Sequence, residues 1–400
     1  MLSAANIAVA NPPAPVADPP EPLVEPLVWL THSEDTIDRV RLHWLAPAAD
    51  TAGKSDQPPL ATQLQVQFGN DRSWRTVAEA SRLSAHVDVD RGTTQRPTHY
   101  RWSTDTQVGD AHVIAPIPER DLRIIVAANW QGFRSSDGWL DWEPHLVVSA
   151  GDLVGSIIPV GAKPDPTGLQ RSPPKSVIDW LMTHRAVLGR VPFMAVSGNH
   201  DRQVRPRKDR SEDPPVYDIS GTAFRRTFAM PDGGLWWSLD APDFRLRLIG
   251  LDLHHTSDFG TAWQSGSDFD RDSPMAVFDR RKRIHAPEHV VTIYNEQHSA
   301  VARLADGFWR NQIASTDGVA ISGFGHFAEL ARDRGITLVN TSLQGRGDVY
   351  ANPNSQWIGR ENNHVRISID REGPMRVAIC GTDGRVLKNV NVTPKDRATE

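Results

Sequence analysis

Two short polar segments follow strand-like apolar runs and place oxygen and nitrogen ligands at the strand ends. The first is Gly151-Asp152, after residues 146–150, and the second is Gly198-Asn199-His200-Asp201, after residues 191–197. A helical pattern over residues 177–188 separates them, which gives the order strand, helix, strand. Open α/β sheets bind ligands at the carboxyl ends of their strands, so we expect a polar site there.

The order and spacing of these segments resemble the calcineurin-like metallophosphoesterases. That family carries five blocks: D-x-H or D-x-G, GD, GNHD or GNHE, a lone His after a strand, and GHxH. Together the blocks hold two metal ions, which the Asp of the second block bridges. The resemblance implies hydrolysis of phosphate mono- or diesters on a four-layer α/β/β/α core, two packed mixed sheets with helices outside.

Four of the five blocks depart from the family pattern. The strand at residues 122–128 ends in Asn129, where the family has its first Asp. In the second block, Gly155 replaces a residue that is Asp, Asn or Tyr in the family. Asn295 falls on the position of the lone His, and His298 comes three residues later. The third block is intact, so the resemblance implies the fold more strongly than the activity.

The last block has two registers. Aligning Gly323-Phe324-Gly325-His326 with GHxH keeps the second His as His326 and replaces the first with Phe324. Aligning Gly325-His326 instead places Ala328 at the second His. We prefer the first register because it preserves the Ser-Gly entry into the block.

The donors that remain predict a metal site with fewer charged ligands than the family's. The resemblance assigns the metal ligands to Asp152, Asn199, His326 and Asn129, with Asn295, His298, His254 and His255 as candidate replacements. Amide oxygens carry no charge, whereas Zn, Mn and Fe sites of this kind depend on carboxylate and imidazole donors. Two divalent ions ~4 Å apart repel each other by about 16 kcal/mol at an effective dielectric of ~20. We therefore expect at most one divalent metal ion, of undetermined identity.

Two functions from different classes remain open. In the first, the chain is a phosphoric ester hydrolase with an atypical mononuclear site, in which His200, oriented by Asp201, protonates or binds the phosphoryl oxygen. In the second, the chain is a pseudophosphatase, an inactive binding or scaffold protein on the same fold. A weaker third alternative is a rearranged hydrolytic site that uses His254, His255 or His298. Whether the chain is an enzyme is left open.

The rest of the chain divides into three segments. Residues 1–26 are Pro-rich and predict a disordered lead. Period-two alternation over residues 27–112 predicts a β-sandwich. A sandwich ahead of the core, which covers residues 120–390, resembles purple acid phosphatases, whose first domain is fibronectin-III-like.

Composition argues against several other classes of protein. The 400 residues carry a net charge of −5, which gives no electrostatic footprint for nucleic acid. The single cysteine, Cys380, excludes an internal disulfide. No apolar run approaches the ~18 residues of a membrane span, so we expect a soluble protein. Export after removal of a signal peptide stays open, and substrate and oligomeric state are undetermined.

Overall fold

The computed structural model describes residues 25–32, 34–45, 63–79, 85–157, 174–203, 218, 221–231, 235–253, 287–303, 308–316 and 318–393. The strands are β1 (Leu27–Thr31), β2 (Arg39–Leu45), β3 (Gln63–Gln67), β4 (Arg75–Glu79), β5 (Ala85–Asp90), β6 (Gly92–Thr93), β7 (Arg96–Pro97), β8 (His99–Ser103), β9 (His112–Val113), β10 (Asp121–Ala127), β11 (Leu146–Ser149), β12 (Phe193–Ala195), β13 (Trp237–Ala241), β14 (Leu246–Leu251), β15 (His289–Tyr294), β16 (Val319–Ser322), β17 (Ala328–Asp333), β18 (Ile336–Asn340), β19 (Ser355–Gly359), β20 (Asn363–Asp370), β21 (Met375–Gly381) and β22 (Val386–Val392). The α-helices are α1 (Lys175–Thr183), α2 (Arg185–Leu188), α3 (Thr222–Phe228), α4 (His298–Val301) and α5 (Phe308–Ala314).

A nine-stranded mixed sheet carries the first three sequence blocks. Its strand order is β22-β21-β20-β10-β11-β12-β1-β2-β5, and β10, β11, β12 and β1 are parallel neighbours. Ile124 pairs with Leu146, and Val147 pairs with Phe193. Because β10, β11 and β12 run parallel, their carboxyl ends meet at one edge of the sheet.

A seven-stranded sheet carries the last two blocks. Its order is β13-β14-β15-β16-β18-β17-β19, with β14, β15, β16 and β18 parallel. Every residue of β15 is buried. Val291 and Ile293 join the large core shared with the nine-stranded sheet, while Val290 and Tyr294 join a second cluster. This alternation shows that both faces of the strand are covered, as expected for parallel strands.

Helices pack against residues of both large sheets. In α1, the ring of Trp180 lies 5.3 Å from that of Phe193 in the nine-stranded sheet. In the second cluster, Val301, Trp309 and Ile313 pack with residues of the seven-stranded sheet. Among the described residues, no helix is long and apolar enough to cross a membrane.

The N-terminal strands form a region with its own apolar core. The four-stranded sheet β4-β3-β8-β9 packs against β1, β2 and β5 through a cluster that includes Val40, Trp44, Leu64 and Trp102. However, β1 also pairs in parallel with β12, through Thr31 and Phe193. One layer of this region therefore continues the nine-stranded sheet, a connection that the sequence pattern did not predict. Of the predicted lead, only Glu25 and Pro26 lie within the described residues.

Candidate functional site

Asp152 lies in a left-handed turn directly after β11. The φ angle is 97° at Gly151 and 59° at Asp152, whose side chain is buried. A Cβ at Gly151 would lie 2.6 Å from Nδ2 of Asn295, so both the backbone angle and the space require glycine there. Non-glycine residues with such angles cost of order 1–3 kcal/mol and cluster at functional sites. The turn is thus a candidate functional feature by its geometry as well as by its sequence.

The third block closes over the Asp152 carboxylate. Oδ1 of Asp152 accepts a hydrogen bond from the backbone N–H of His200 at 3.1 Å. A Cβ at Gly198 would come within 2.1 Å of the same oxygen, so only glycine fits. Asn199, between Gly198 and His200 in the chain, is buried, and its Nδ2 has no hydrogen-bond partner among the described residues. The structure therefore brings Asp152, Asn199 and His200 together from two strand ends.

Asp201 is buried beneath both turns and ties them together. Its Oδ1 accepts hydrogen bonds from the backbone N–H groups of Leu153 (2.7 Å) and Val154 (3.2 Å). Its Oδ2 accepts from those of Asp152 (2.8 Å) and Gly198 (2.9 Å). Burial, together with the neighbouring Asp152 carboxylate, raises the pKa of Asp201 to about 7. Asp201 is a positioning residue for the second and third blocks.

The predicted orientation of His200 by Asp201 is wrong. Nδ1 of His200 donates instead to the carbonyl oxygen of Gly155, at 2.8 Å. The two residues share a short 3-10 turn, His200–Arg202, in which consecutive side chains project in different directions. With the proton on Nδ1, Nε2 of the neutral ring is an acceptor, so His200 can donate from Nε2 only when it is protonated.

Asn129 joins the first block to the fifth. It has a φ of 55°, is 1% exposed, and donates from Nδ2 to the carbonyl oxygens of Gly323 (2.7 Å) and Gly325 (3.0 Å). These bonds cross from β10 to the turn after β16. Only its Oδ1 is left to act as a metal ligand, because the amide nitrogen has no lone pair to offer.

Asn295 joins the fourth block to the second. Its side chain is buried, and Nδ2 donates to the carbonyl oxygen of Ala150 at 2.8 Å. It therefore lies against the Gly151-Asp152 turn, where the family alignment places the lone His. The amide nitrogen thus braces the turn, and only Oδ1 keeps lone pairs that a metal ion could use, as in Asn129.

His298 is not a replacement ligand, which corrects that prediction. It begins α4, its Nδ1 lies 2.7 Å from the hydroxyl of Tyr294, and its Nε2 lies 3.0 Å from the carbonyl oxygen of Val339. Since only an N–H can pair with a carbonyl, Nε2 donates to Val339 and Nδ1 accepts from Tyr294. Burial lowers the pKa of His298 to about 4. Both ring nitrogens are engaged inside the protein.

The fifth block ends at a partly exposed His326. The backbone N–H of His326 donates to the carbonyl oxygen of Asp348 at 2.8 Å, and a Cβ at Gly347 would lie 2.4 Å from Nδ1 of the ring. The ring of Phe324 lies 5.3 Å from that of Tyr350. Ala328 is buried and begins β17, so it lies in a strand beyond the turn, whereas Phe324 lies within it. His254 and His255 lie outside the described residues.

Two contacts near the site escaped the sequence reasoning. Nε2 of Gln344, in the loop after β18, lies 3.0 Å from Oε1 of Gln131 and 3.5 Å from the carbonyl oxygen of Asn129. Arg202 and Asp252 form a fully buried ion pair that connects the third block to the end of β14. The position of Asp252 directly after a strand was a usable signal for the ion pair, but nothing in the sequence pointed to Gln344.

Comparisons with known proteins identify the fold. No family model and no curated protein matches the sequence. Among solved structures, the chain is similar to a purple acid phosphatase from yellow lupin (Lupinus luteus) seeds, with a TM-score of 0.62 and 12% identity over 93% of this chain and 74% of that one. It is also similar to PhoD, with a TM-score of 0.61 and 11% identity over 92% of each chain. The chain has a metallophosphoesterase fold.

The residues present do not fit the pair of metal ions that this fold implies. Among the described residues, no group of three or more His, Cys, Asp or Glu side chains is placed to hold a metal ion. Nδ2 of Asn295 is committed to Ala150, and both oxygens of Asp201 are committed to backbone N–H groups. The alignment leaves Asp152, Asn199, His326 and Asn129 at ligand positions, and together they carry a single negative charge.

Proposed function

We propose that this chain is a pseudophosphatase, a ligand-binding protein on the metallophosphoesterase fold that has lost two-metal hydrolysis. The proposal rests on how two side-chain amides at ligand positions are oriented: both point their NH₂ groups at backbone carbonyl oxygens. Asn129 donates to Gly323 and Gly325, and Asn295 donates to Ala150. These hydrogen bonds connect the loops that metal ions would otherwise connect, so the site edge holds its shape without them.

The charge at the site supports the same proposal. Asp152 is the one carboxylate at a ligand position of the alignment, and its Oδ1 already accepts from the backbone N–H of His200. The carboxylate of Asp201 is turned to the backbone and has a raised pKa. Two divalent ions ~4 Å apart would repel by about 16 kcal/mol at an effective dielectric of ~20, and one carboxylate offsets little of that.

A one-ion phosphoester hydrolase is the second candidate, favoured by the retention of Asp152, His200 and His326. Asp152, Asn199, His326 and Asn129 would hold the ion. A bound divalent ion lowers the pKa of its water and so supplies a nucleophile. His200, held through Nδ1 by Gly155, would bind a phosphoryl oxygen or, once protonated, donate to it.

Metal content and turnover separate the two candidates. The full chain is titrated with Mn²⁺, Zn²⁺ and Fe²⁺ and weighed by native mass spectrometry, and hydrolysis of p-nitrophenyl phosphate and bis-p-nitrophenyl phosphate is measured in parallel. We expect one ion or none and no turnover above the metal-containing buffer. One ion with turnover that His200→Ala abolishes would establish the one-ion hydrolase. Two tightly bound ions with turnover would refute both candidates and point to His254 or His255.

The finer architecture is also a proposal. We propose that residues 120–390 form a four-layer α/β/β/α core and residues 27–112 a fibronectin-III-like sandwich. The shared apolar core of the two large sheets and the separate N-terminal cluster support this division. So does the similarity to a purple acid phosphatase over 93% of the chain.

A further inference from the structure

A cavity of about 340 Å³ lies at the junction of the N-terminal strands with α1 and α2. Its walls include Leu27, Val28, Tyr100, Met182 and Ala186. Since Thr31 at the end of β1 pairs with Phe193 at the start of β12, the beginning of β1 lies at the amino-terminal edge of these parallel strands. The cavity is therefore at the opposite edge of the sheet from Asp152 and the candidate functional site.

The cavity combines apolar walls with an aromatic pair. The rings of Tyr100 and His112 stack at 5.1 Å with an angle of 27° between their planes. The Tyr100 hydroxyl donates to the carbonyl oxygen of Gly189 at 2.8 Å, so its polar group is already satisfied. Met182 is 45% exposed at the rim. The volume falls at the lower end of the range of about 300–1,000 Å³ typical of small-molecule sites.

The charges at the rim are unbalanced. Glu25 is paired with His112, with 3.2 Å between Oε2 and Nε2. Arg185 and Arg190 also line the cavity, and neither has an ion-pair partner among the described residues. The rim thus presents two guanidinium groups whose planar forks suit a carboxylate, sulfonate or phosphate group.

We propose that this cavity binds a small amphipathic anion, an organic acid with an apolar or aromatic body and one anionic group. The body lies against Leu27, Val28 and Met182, and the anionic group lies between Arg185 and Arg190. Apolar walls beside a few polar groups fix the orientation of a small ligand. The site is independent of the metallophosphoesterase edge and of whatever binds there.

A matched pair of fluorescent probes tests both parts of the proposal. The full chain is titrated with 8-anilinonaphthalene-1-sulfonate and with N-phenyl-1-naphthylamine, which has the same aromatic body and no sulfonate. The sulfonate probe should bind at one site and more tightly. The double substitution Arg185→Gln and Arg190→Gln should weaken the sulfonate probe by about tenfold or more, as expected for two lost charged hydrogen bonds, and change the neutral probe by less than about twofold. Ala186→Phe should weaken both.

Control variants keep the result interpretable. Arg226→Gln, an exposed arginine of α3, should leave both titrations unchanged, and circular dichroism confirms that each variant is folded. Equal binding of the two probes, or no effect of the double substitution, would overturn the proposal. The titration is repeated on a shortened chain that starts at Glu25. Equal affinity of the sulfonate probe for the full and the shortened chain supports a small-molecule site. If the probe binds only to the shortened chain, residues 1–24 occupy the cavity in the full chain, which overturns the proposal.

Discussion

Replacing Asn129 with the residue that the metallophosphoesterases carry should destabilise this protein. Asn129→Asp keeps the shape of the side chain and its position after β10. It removes the amide nitrogen that donates to the carbonyl oxygens of Gly323 (2.7 Å) and Gly325 (3.0 Å). A carboxylate oxygen would then face two carbonyl oxygens at hydrogen-bonding distance, with no proton between them.

The structure sets the size of this effect. A buried polar group that loses its partner costs about 1–3 kcal/mol, so we expect that loss at the buried carbonyl of Gly323 and a smaller one at Gly325, which is partly exposed. The backbone adds little, because Asn and Asp both tolerate the φ of 55° at this position. Protonation of the new carboxyl group restores one donor, so the loss of stability should shrink as the pH falls.

Urea unfolding of the wild type and the variant measures the difference, at pH 7.5 and again at pH 5 in metal-free buffer. Asn389→Asp, at an exposed position of β22, is the matched control, and its free energy of unfolding should change by less than about 0.5 kcal/mol. A loss below about 1 kcal/mol for Asn129→Asp at pH 7.5 would refute the role of its amide. Full recovery on addition of Mn²⁺ or Zn²⁺ would show that the site still accepts an ion.

Two further predictions concern the same edge and the buried histidines. Gly198→Ala should lower the free energy of unfolding by about 1–3 kcal/mol, because the new Cβ would lie 2.1 Å from Oδ1 of Asp152. Gly138→Ala, with no atom within 4 Å of its Cβ, is the control for this comparison and should be nearly neutral in urea unfolding. Stability should also fall as the pH drops below about 6.5, because the unfolded chain binds protons that the folded chain excludes; at pH 5 each buried histidine costs up to about 2 kcal/mol. Burial lowers the pKa to about 3 or 4 in His32, His43, His145, His298 and His364. Equal urea midpoints at pH 7.5 and pH 5 would contradict this.

The candidate site could be predicted only in part. The spacing of Asp152 and the Gly198-Asn199-His200-Asp201 block predicted that these residues meet, because parallel strands end at one edge. The role of Asp201 was predicted wrongly, since adjacency to His200 says nothing of which way a buried carboxylate points. His298 looked like a shifted ligand, but its partners are a strand residue four positions earlier and a carbonyl on β18.

The sequence by itself determined the metallophosphoesterase fold and the order of the polar blocks at the strand ends. Alternating and continuous apolar runs specify strands and buried faces locally, and the order of the blocks specifies which strand ends carry polar groups. Only the tertiary structure decided what the substituted residues do. Asn129 bonds to Gly323, 194 positions away, and Asn295 bonds to Ala150, 145 positions away. An amide can donate or accept, and that choice depends on neighbours that only the folded chain brings within hydrogen-bonding distance.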